Sequence, residues 1–271
     1  MKQKTMWTTG LLALSLLGAA LPAAATATIW GTPSTANCSS GGTLNANCTP
    51  PSLGGLKVIY SAISDNSGSL QAAYVGAYGD GLGVTGRAIG ATAQESTTGD
   101  TAVIDNRAID NSGNYEMLLL TFKDAVTNVA TPVVMNALNL GFKGADSDLT
   151  VLAYRPDPNL GQPNSPNWLG APYSSLLTNG WKLVGNYADV APNTARPVNP
   201  NSLSSSYWLI GAFNNAFGTG PNLDIGNDYV RLLSVTTTPA GPNGVPEPSS
   251  VVLAAIALLG LSAVRRRRHT A

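Results

Sequence analysis

The sequence contains one histidine, His269, and it lies near the carboxyl end. The rest of the chain therefore cannot build a Ser-His-Asp triad, a Cys-His pair or a zinc site with histidine ligands. Cysteine is almost as scarce, since Cys38 and Cys48 are the only two. These absences exclude the commonest kinds of nucleophilic and zinc catalysis from the body of the protein.

Charged residues are also few, at 11% of the 271 residues. Two lysines and four arginines belong to the two ends of the chain, so nine basic and 14 acidic residues remain between residues 28 and 246, a net charge of about −5. Nucleic acid and anionic lipid head groups both attract clustered lysine and arginine. The composition therefore predicts that nucleic acid is not a partner, and it argues against anionic lipid.

The amino end carries a basic start followed by an apolar run. Lys2 and Lys4 precede a leucine-rich stretch, and small residues follow it up to Ala27. This pattern is typical of a secretory signal peptide, which signal peptidase would cleave after Ala25 or Ala27. An uncleaved membrane anchor is the alternative, but a stable span needs about 20 apolar residues. We therefore predict a signal peptide over residues 1–27.

The carboxyl end has three parts in a fixed order: a Pro-Glu-Pro turn, an uncharged apolar segment over 249–264, and four consecutive arginines. The prolines keep the backbone extended, and the apolar segment at about 1.5 Å per residue nearly crosses a membrane core. The arginines stay cytoplasmic, so the body faces outward. The residues that define this end are Pro246, Glu247, Pro248, Arg265, Arg266, Arg267 and Arg268.

This end resembles the PEP-CTERM sorting signal, over residues 245–271. The resemblance implies recognition by exosortase, a membrane-embedded, cysteine transpeptidase-like enzyme that removes the signal as the protein leaves the inner membrane. The apolar segment would then be a transient inner-membrane tether. It further implies a place at the cell surface or in the extracellular matrix of a Gram-negative bacterium, in association with exopolysaccharide. An ordinary tail anchor is the alternative.

The two cysteines lie close together in a chain predicted to be exported. An intrachain disulfide between Cys38 and Cys48 is the favoured prediction, because exported proteins fold in an oxidising compartment. A free nucleophilic cysteine would lack a histidine to activate it. We therefore predict a disulfide-looped N-terminal extension over residues 28–55.

The remainder reads as one all-β domain over residues 56–237, followed by a linker over 238–244. Eight runs rich in β-branched and aromatic residues alternate with turns rich in Asp, Asn, Gly and Pro. No segment outside the two ends has helical spacing of apolar residues. We predict a two-sheet antiparallel sandwich, jelly-roll-like. The predicted strands are 56–63, 70–78, 115–122, 134–142, 149–154, 181–187, 206–213 and 229–237.

Three tryptophans of the body offer alternative roles. Trp181 and Trp208 lie inside predicted strands, so we expect them to pack in the core. Trp168 lies in the loop NSPNWLGAPYSS, where an exposed indole can stack on a sugar ring. Trp168 and Tyr173, with nearby Asn and Asp groups, are the candidate sugar contacts.

The body also resembles a group of exosortase-dependent surface proteins of unknown function. The resemblance rests on GDGLGVTG (79–86), RAIDNSGNYEMLLLTF (107–122) and DSDLTVLAY (146–154), together with NGWKLVGNY and YWLIGAF. In that group a histidine precedes the Asp-Asn pair that matches Asp110 and Asn111. Arg107 stands in its place, so no metal or catalytic role of that histidine carries over.

Two acidic stretches are candidate calcium sites, because calcium takes six to eight oxygen ligands. One stretch contains Asp110, Asn111 and Glu116, and the other contains Asp146 and Asp148. Neither has the spacing of an EF-hand loop, and the first can equally form a turn in which Asx side chains cap backbone N–H groups. Apart from calcium we expect no cofactor.

These observations favour a non-catalytic surface or matrix protein that exosortase processes. The alternative is a carbohydrate-binding module with a discrete sugar site. A glycoside hydrolase, which needs two carboxylates across the scissile bond, is a distant third. With 14 acidic residues some neighbouring pair of carboxylates is almost inevitable, so the presence of such a pair is not evidence for this activity.

Overall fold

The computed structural model describes residues 26–31, 44–66, 68–88 and 107–241. These ranges contain fifteen strands and three short 3-10 segments, at Pro158–Leu160, Tyr173–Asn179 and Asn215–Phe217. The strands are β1 (Thr28–Gly31), β2 (Leu44–Asn45), β3 (Asn47–Cys48), β4 (Leu56–Asn66), β5 (Ser69–Tyr78), β6 (Gly81–Ala88), β7 (Ile109–Asp110), β8 (Glu116–Asp124), β9 (Val133–Lys143), β10 (Leu149–Tyr154), β11 (Trp181–Tyr187), β12 (Arg196–Pro197), β13 (Ser204–Ser205), β14 (Tyr207–Ala212) and β15 (Tyr229–Pro239). Within the described ranges, no helix has the length and apolar character to cross a membrane.

All eight predicted strands are present, as β4, β5, β8, β9, β10, β11, β14 and β15, with ends within three residues of the prediction. The longest strand that the sequence did not indicate is β6. It follows a Gly-Asp turn at residues 79 and 80 and includes three glycines, which are depleted in strands. Pairing with β5 on one side and β15 on the other keeps this segment extended.

The strands form one continuous antiparallel arrangement in the order β11-β10-β14-β8-β4-β5-β6-β15-β9-β12. At its middle, β4 and β5 are consecutive strands joined by a turn. They pair only over the five residues next to that turn, from Ala62–Ala73 to Asn66–Ser69. Beyond that point the two strands pair with different partners: β3 adds to β4, and β2 adds to β5. The chain also leads from β11, at one end of the order, into β12 at the other end within nine residues.

Two clusters of buried side chains lie on opposite faces of the central strands. Leu118 and Leu120 point into the larger cluster, to which strands from both halves of the order contribute. Met117 and Leu119 point into the smaller one, which also receives Tyr173 and other residues of the loop between β10 and β11. The run Met117–Leu120 is apolar throughout because each face of β8 packs against one of these clusters.

The prediction of an all-β antiparallel fold is confirmed, and Trp181 and Trp208 are both buried in the core as expected. The two-sheet, jelly-roll-like detail stays a prediction. The predicted signal helix and C-terminal membrane helix lie outside the described residues.

The segment before residue 56, predicted as an N-terminal extension, contributes three short strands to the sheet. β1 pairs with β15 over four residues, from Thr28–Thr237 to Gly31–Ser234. β2 and β3 also pair with β5 and β4. At the other end, β15 continues to Pro239, two residues into the segment predicted as a linker.

Gly141 of β9 provides a test of how closely the strands approach one another. A β-carbon at Gly141 would lie 1.9 Å from the carbonyl oxygen of Asp80, which is a backbone atom and cannot rotate away. We expect Gly141→Ala to lower the free energy of unfolding by about 1–3 kcal/mol, the usual range for overpacking. Gly31→Ala is the matched control, because nothing lies within 4 Å of its β-carbon position. Equal stability of the two variants in urea unfolding would contradict this packing.

Candidate functional site

Three aspartates from distant parts of the chain meet beside the first residues of β10 and β15. Asp146 and Asp148 precede β10, Asp228 precedes β15, and a parallel bridge joins residues 146 and 228. Each of these aspartates has a carboxylate oxygen within 4.8 Å of the other two. Asp148 and Asp228 are fully buried, and Asp146 is half-buried. We call these three residues the carboxylate cluster.

Backbone N–H groups hold the two buried carboxylates in place. The N–H of Asp148 donates to Asp228 Oδ1 at 2.6 Å. The carboxylate of Asp148 accepts from the N–H groups of Asp189 at 2.8 Å and Asp224 at 3.2 Å. Loops that precede three different strands therefore converge on one site.

Asn111 links the segment after β7 to this cluster. Its Nδ2 donates to Asp228 Oδ2 at 2.6 Å and to the carbonyl oxygen of Phe213 at 3.0 Å. Its Oδ1 accepts from the N–H groups of Gly226 and Asp228. The amide thus orients Asp228, and its own oxygen is already used by backbone donors.

The predicted calcium residues fall into two neighbouring groups. Asp146 and Asp148 lie in the carboxylate cluster, and Asn111 contacts it. Asp110 and Glu116 lie beside one another, where the Asp110 N–H donates to Glu116 Oε2 at 3.2 Å, and both side chains are buried. The two predicted stretches therefore stay separate as ligand sets, although Asn111 follows directly on Asp110.

Asp228 was missed by the sequence reasoning. It lies in the stretch TGPNLDIGN-D, which has the composition of a turn and gave no sign of a ligand. The sequence offered one indication of its role, which is that Asp148 and Asp228 each stand directly before a predicted strand. Only the pairing of these strand ends shows that the two carboxylates meet.

Burial raises the pKa of Asp228 to about 7, with the nearby charge of Asp148 as a further cause. Burial likewise raises the pKa of Asp148, and Asp146 and Asp189 add to this effect. The hydrogen bonds to both carboxylates act in the opposite direction and only partly offset it. Carboxylates this close are stable together only when a proton or a cation neutralises part of their charge.

The donor set of the cluster suits a hard divalent cation. Carboxylate oxygens of Asp146, Asp148 and Asp228 are ligands of the kind that calcium prefers. Two neighbouring oxygens, Ser147 Oγ and Asn227 Oδ1, are buried without a hydrogen-bond partner in the described part of the chain. These residues are the ones that could hold a calcium ion.

The two predicted sugar contacts lie together, but one of them is enclosed. Tyr173 is buried in the smaller core cluster, and its hydroxyl donates to the carbonyl oxygen of Tyr115 at 3.0 Å. It has no open ring face, which argues against sugar contact there. Trp168 is half-buried against the same cluster.

A cleft of about 320 Å³ lies in the same loop region as Trp168. Two exposed asparagines, Asn167 and Asn179, line it together with Gln162. Both ends of the Gln162 side chain are already used, because its amide oxygen accepts from Asp157 and its nitrogen donates to Thr178. The remaining lining residues are Tyr154, Pro163, Leu169 and Ala171.

Other predicted residues are placed as follows. Cys48 is fully buried, but Cys38 lies outside the described residues, so their disulfide stays a prediction. Arg107 is exposed, and its carbonyl oxygen accepts from Arg231 Nε at 2.8 Å. The signal peptide up to residue 25 and the whole of the sorting signal lie outside the described residues.

Comparison with known proteins assigns the carboxyl end. No curated protein and no solved structure matches this chain. Residues 244–268 match the family described as PEP-CTERM protein-sorting motif, which confirms the sorting signal predicted over 245–271. The chain therefore carries a PEP-CTERM sorting motif, which indicates an exosortase-dependent protein exported toward the envelope or surface of a bacterium.

Proposed function

We propose that this protein is a non-catalytic component of the cell surface or extracellular matrix of a Gram-negative bacterium, associated with its exopolysaccharide. The sorting motif at residues 244–268 carries this proposal. Signal peptidase removes the first 25 or 27 residues, and exosortase removes the carboxyl segment. The mature protein is then a two-layer, jelly-roll-like sandwich with polar loops and a disulfide between Cys38 and Cys48.

The short connection between the sheet and the motif supports this proposal. β15 ends at Pro239, and the motif begins at residue 244. Only residues 240–243 separate them, so the body is delivered as one unit with its tether. Four residues are too few to form another domain between the sheet and the motif.

Substitution of the Pro-Glu-Pro turn tests the proposal. We expect a chain with Pro246→Ala, Glu247→Ala and Pro248→Ala to keep its carboxyl segment and stay in the membrane fraction. Intact mass and fractionation of cells report both effects. Pro242→Ala, a proline just before the motif, is the matched control and should be processed normally. Normal processing of the triple variant, or of the wild-type chain in cells without exosortase, would contradict the proposal.

Sugar recognition is the second candidate, and the cleft lined by Asn167 and Leu169, the chain neighbours of Trp168, favours it. The side chains that line this cleft are uncharged and include the amides of Asn167 and Asn179, which suits a carbohydrate better than a charged ligand. Retention of the mature protein on the producing organism's exopolysaccharide, compared with Trp168→Ala, decides between the two. Saturable retention that the substitution abolishes would support a discrete sugar site.

Calcium at the carboxylate cluster is part of the proposal as a structural ion. Its role would be to neutralise Asp146, Asp148 and Asp228 and so to hold the ends of β10 and β15 together. A glycoside hydrolase would instead require one carboxyl group that protonates a bound sugar. Because backbone N–H groups and Asn111 surround Asp148 and Asp228, a structural role suits them better.

A further inference from the structure

The two ends of the described body leave it side by side. β1 is antiparallel to β15, and Thr28 pairs with Thr237 while Gly31 pairs with Ser234. Because the two strands are antiparallel, the first residue of β1 lies beside the last residues of β15. The chain toward the signal peptide and the chain toward the sorting motif therefore emerge at one end of the molecule.

Two further segments lie at this same end. Thr28 Oγ1 lies 3.9 Å from the position of a β-carbon on Gly54. The carbonyl oxygen of Gly55 accepts from the N–H of Ala125 at 2.9 Å, and Pro132 accepts from the N–H of Ala240 at 3.4 Å. We call the surface formed by residues 26–29, 53–57, 124–132 and 237–241 the tether face.

The tether face exposes an unusual share of large apolar side chains. The described residues include nine exposed large hydrophobic side chains, and four of them lie here. These four are Ile29, Leu53, Val126 and Val129, with 86% of Val126 exposed. A concentration of exposed apolar side chains at one end of a molecule is typical of a surface that contacts a partner or a membrane.

Basic and acidic side chains lie at opposite ends of β15. Lys57 and Asp124 belong to the tether face, and Lys123 lies next to it as the cross-strand neighbour of Lys57. The Lys57 ammonium group donates to Asn128 Oδ1. The carboxylate cluster lies beyond the opposite end of β15, whose 11 residues span roughly 35 Å at about 3.3 Å each. The negative net charge of the body as a whole therefore does not apply to the tether face.

Chain length limits how far the tether face can be from the bilayer. The apolar run over 249–264 begins eight residues after Gly241. Extended chain covers at most about 3.5 Å per residue, so these residues reach about 28 Å. The far end of the body lies outside that reach, whereas the tether face lies within it.

We propose that the tether face docks on the lipid surface of the inner membrane while the sorting segment still anchors the chain. The valines of the 124–132 loop and Ile29 enter the interfacial region, and the two lysines lie at the level of the head groups. This inference rests on the proposed export and sorting of the protein, and it adds the orientation in which the body waits for exosortase.

The test uses the full chain reconstituted in vesicles of phosphatidylethanolamine and phosphatidylglycerol with brominated acyl chains, which quench tryptophan on contact. Val126→Trp places a reporter on the tether face. Leu169→Trp is the matched control at another exposed apolar position. We expect the brominated lipid to quench most of the emission added by the first variant and none of the emission added by the second.

Flotation of the same vesicles separates failure of this inference from failure of the proposed function. If the chain floats with the vesicles but the tryptophan at position 126 stays unquenched, the docking is wrong and the tether stands. If the chain does not float, neither the membrane anchoring by the sorting segment nor the docking of the tether face is correct.

The released mature protein supplies a second measurement. Val126→Asp with Val129→Asp should weaken its binding to the same vesicles about tenfold or more, since two apolar side chains lose their burial. Leu160→Asp with Leu169→Asp is the control and should leave binding unchanged. Equal binding of both variants would contradict the docking.

Discussion

Trp30→Ala is expected to lower the free energy of unfolding by about 3–5 kcal/mol, the range for removing a large aromatic side chain from a core. The indole of Trp30 is 1% exposed and meets the ring of Phe122 edge to face, with 5.7 Å between ring centroids. Its Nε1–H donates to Thr237 Oγ1 at 2.8 Å, so the substitution also leaves that buried hydroxyl without its donor. Urea unfolding of the mature protein measures the loss.

The neighbouring residue supplies the control for this prediction. Ile29 lies on the same four-residue strand, but its side chain is 63% exposed. Ile29→Ala keeps the pairing of β1 with β15 and should change the free energy of unfolding by less than about 0.5 kcal/mol. If both variants are as stable as the wild type, β1 does not contribute to the folded core.

Trp30 also shows where sequence reasoning stopped. The eight long strands could be predicted because each combines β-branched or aromatic residues with flanking turns. β1 has only four residues, too few for any periodicity to be read from the sequence. Its role depends on β15, which lies about 200 residues further along the chain.

The carboxylate cluster was partly predictable for a related reason. Asp146 and Asp148 are two residues apart, so their shared chemistry is visible in the sequence. Asp228 comes 80 residues after Asp148 and is brought to it by the bridge between residues 146 and 228. Local composition cannot reveal a ligand set that depends on strand pairing.

In the presence of a chelator, the mature protein is expected to lose stability as the pH rises from about 4 to about 7. The pKa of Asp228 is raised from 3.8 to about 7 in the folded state, so the folded protein holds a proton that the unfolded chain releases. The stabilisation is fully present below pH 4 and is lost as the pH rises through 7. A change of about three pKa units corresponds to about 4 kcal/mol at most.

Asp228→Asn isolates this contribution, because the amide has a similar shape and does not titrate. Comparison of the wild type and the variant from pH 4 to pH 8 by urea unfolding should show a smaller slope in the variant, which keeps only the contribution of Asp148. Asp157→Asn is the control, since either side chain can accept the hydrogen bond from the Asn159 N–H. A slope of the same size in wild type and Asp228→Asn would show that another group causes it.

Calcium should reverse the loss at high pH, because a divalent cation neutralises the same carboxylates that a proton neutralises at low pH. At pH 8, calcium at 100 times its dissociation constant would raise the free energy of unfolding by about 2.7 kcal/mol. The gain should disappear as the pH falls below 7 and protons compete, and it should be absent in Asp228→Asn. Stabilisation by calcium that is independent of pH and survives this substitution would place the ion elsewhere. If the protein is exported as proposed, such an exchange between proton and cation would control how firmly the ends of β10 and β15 are held together.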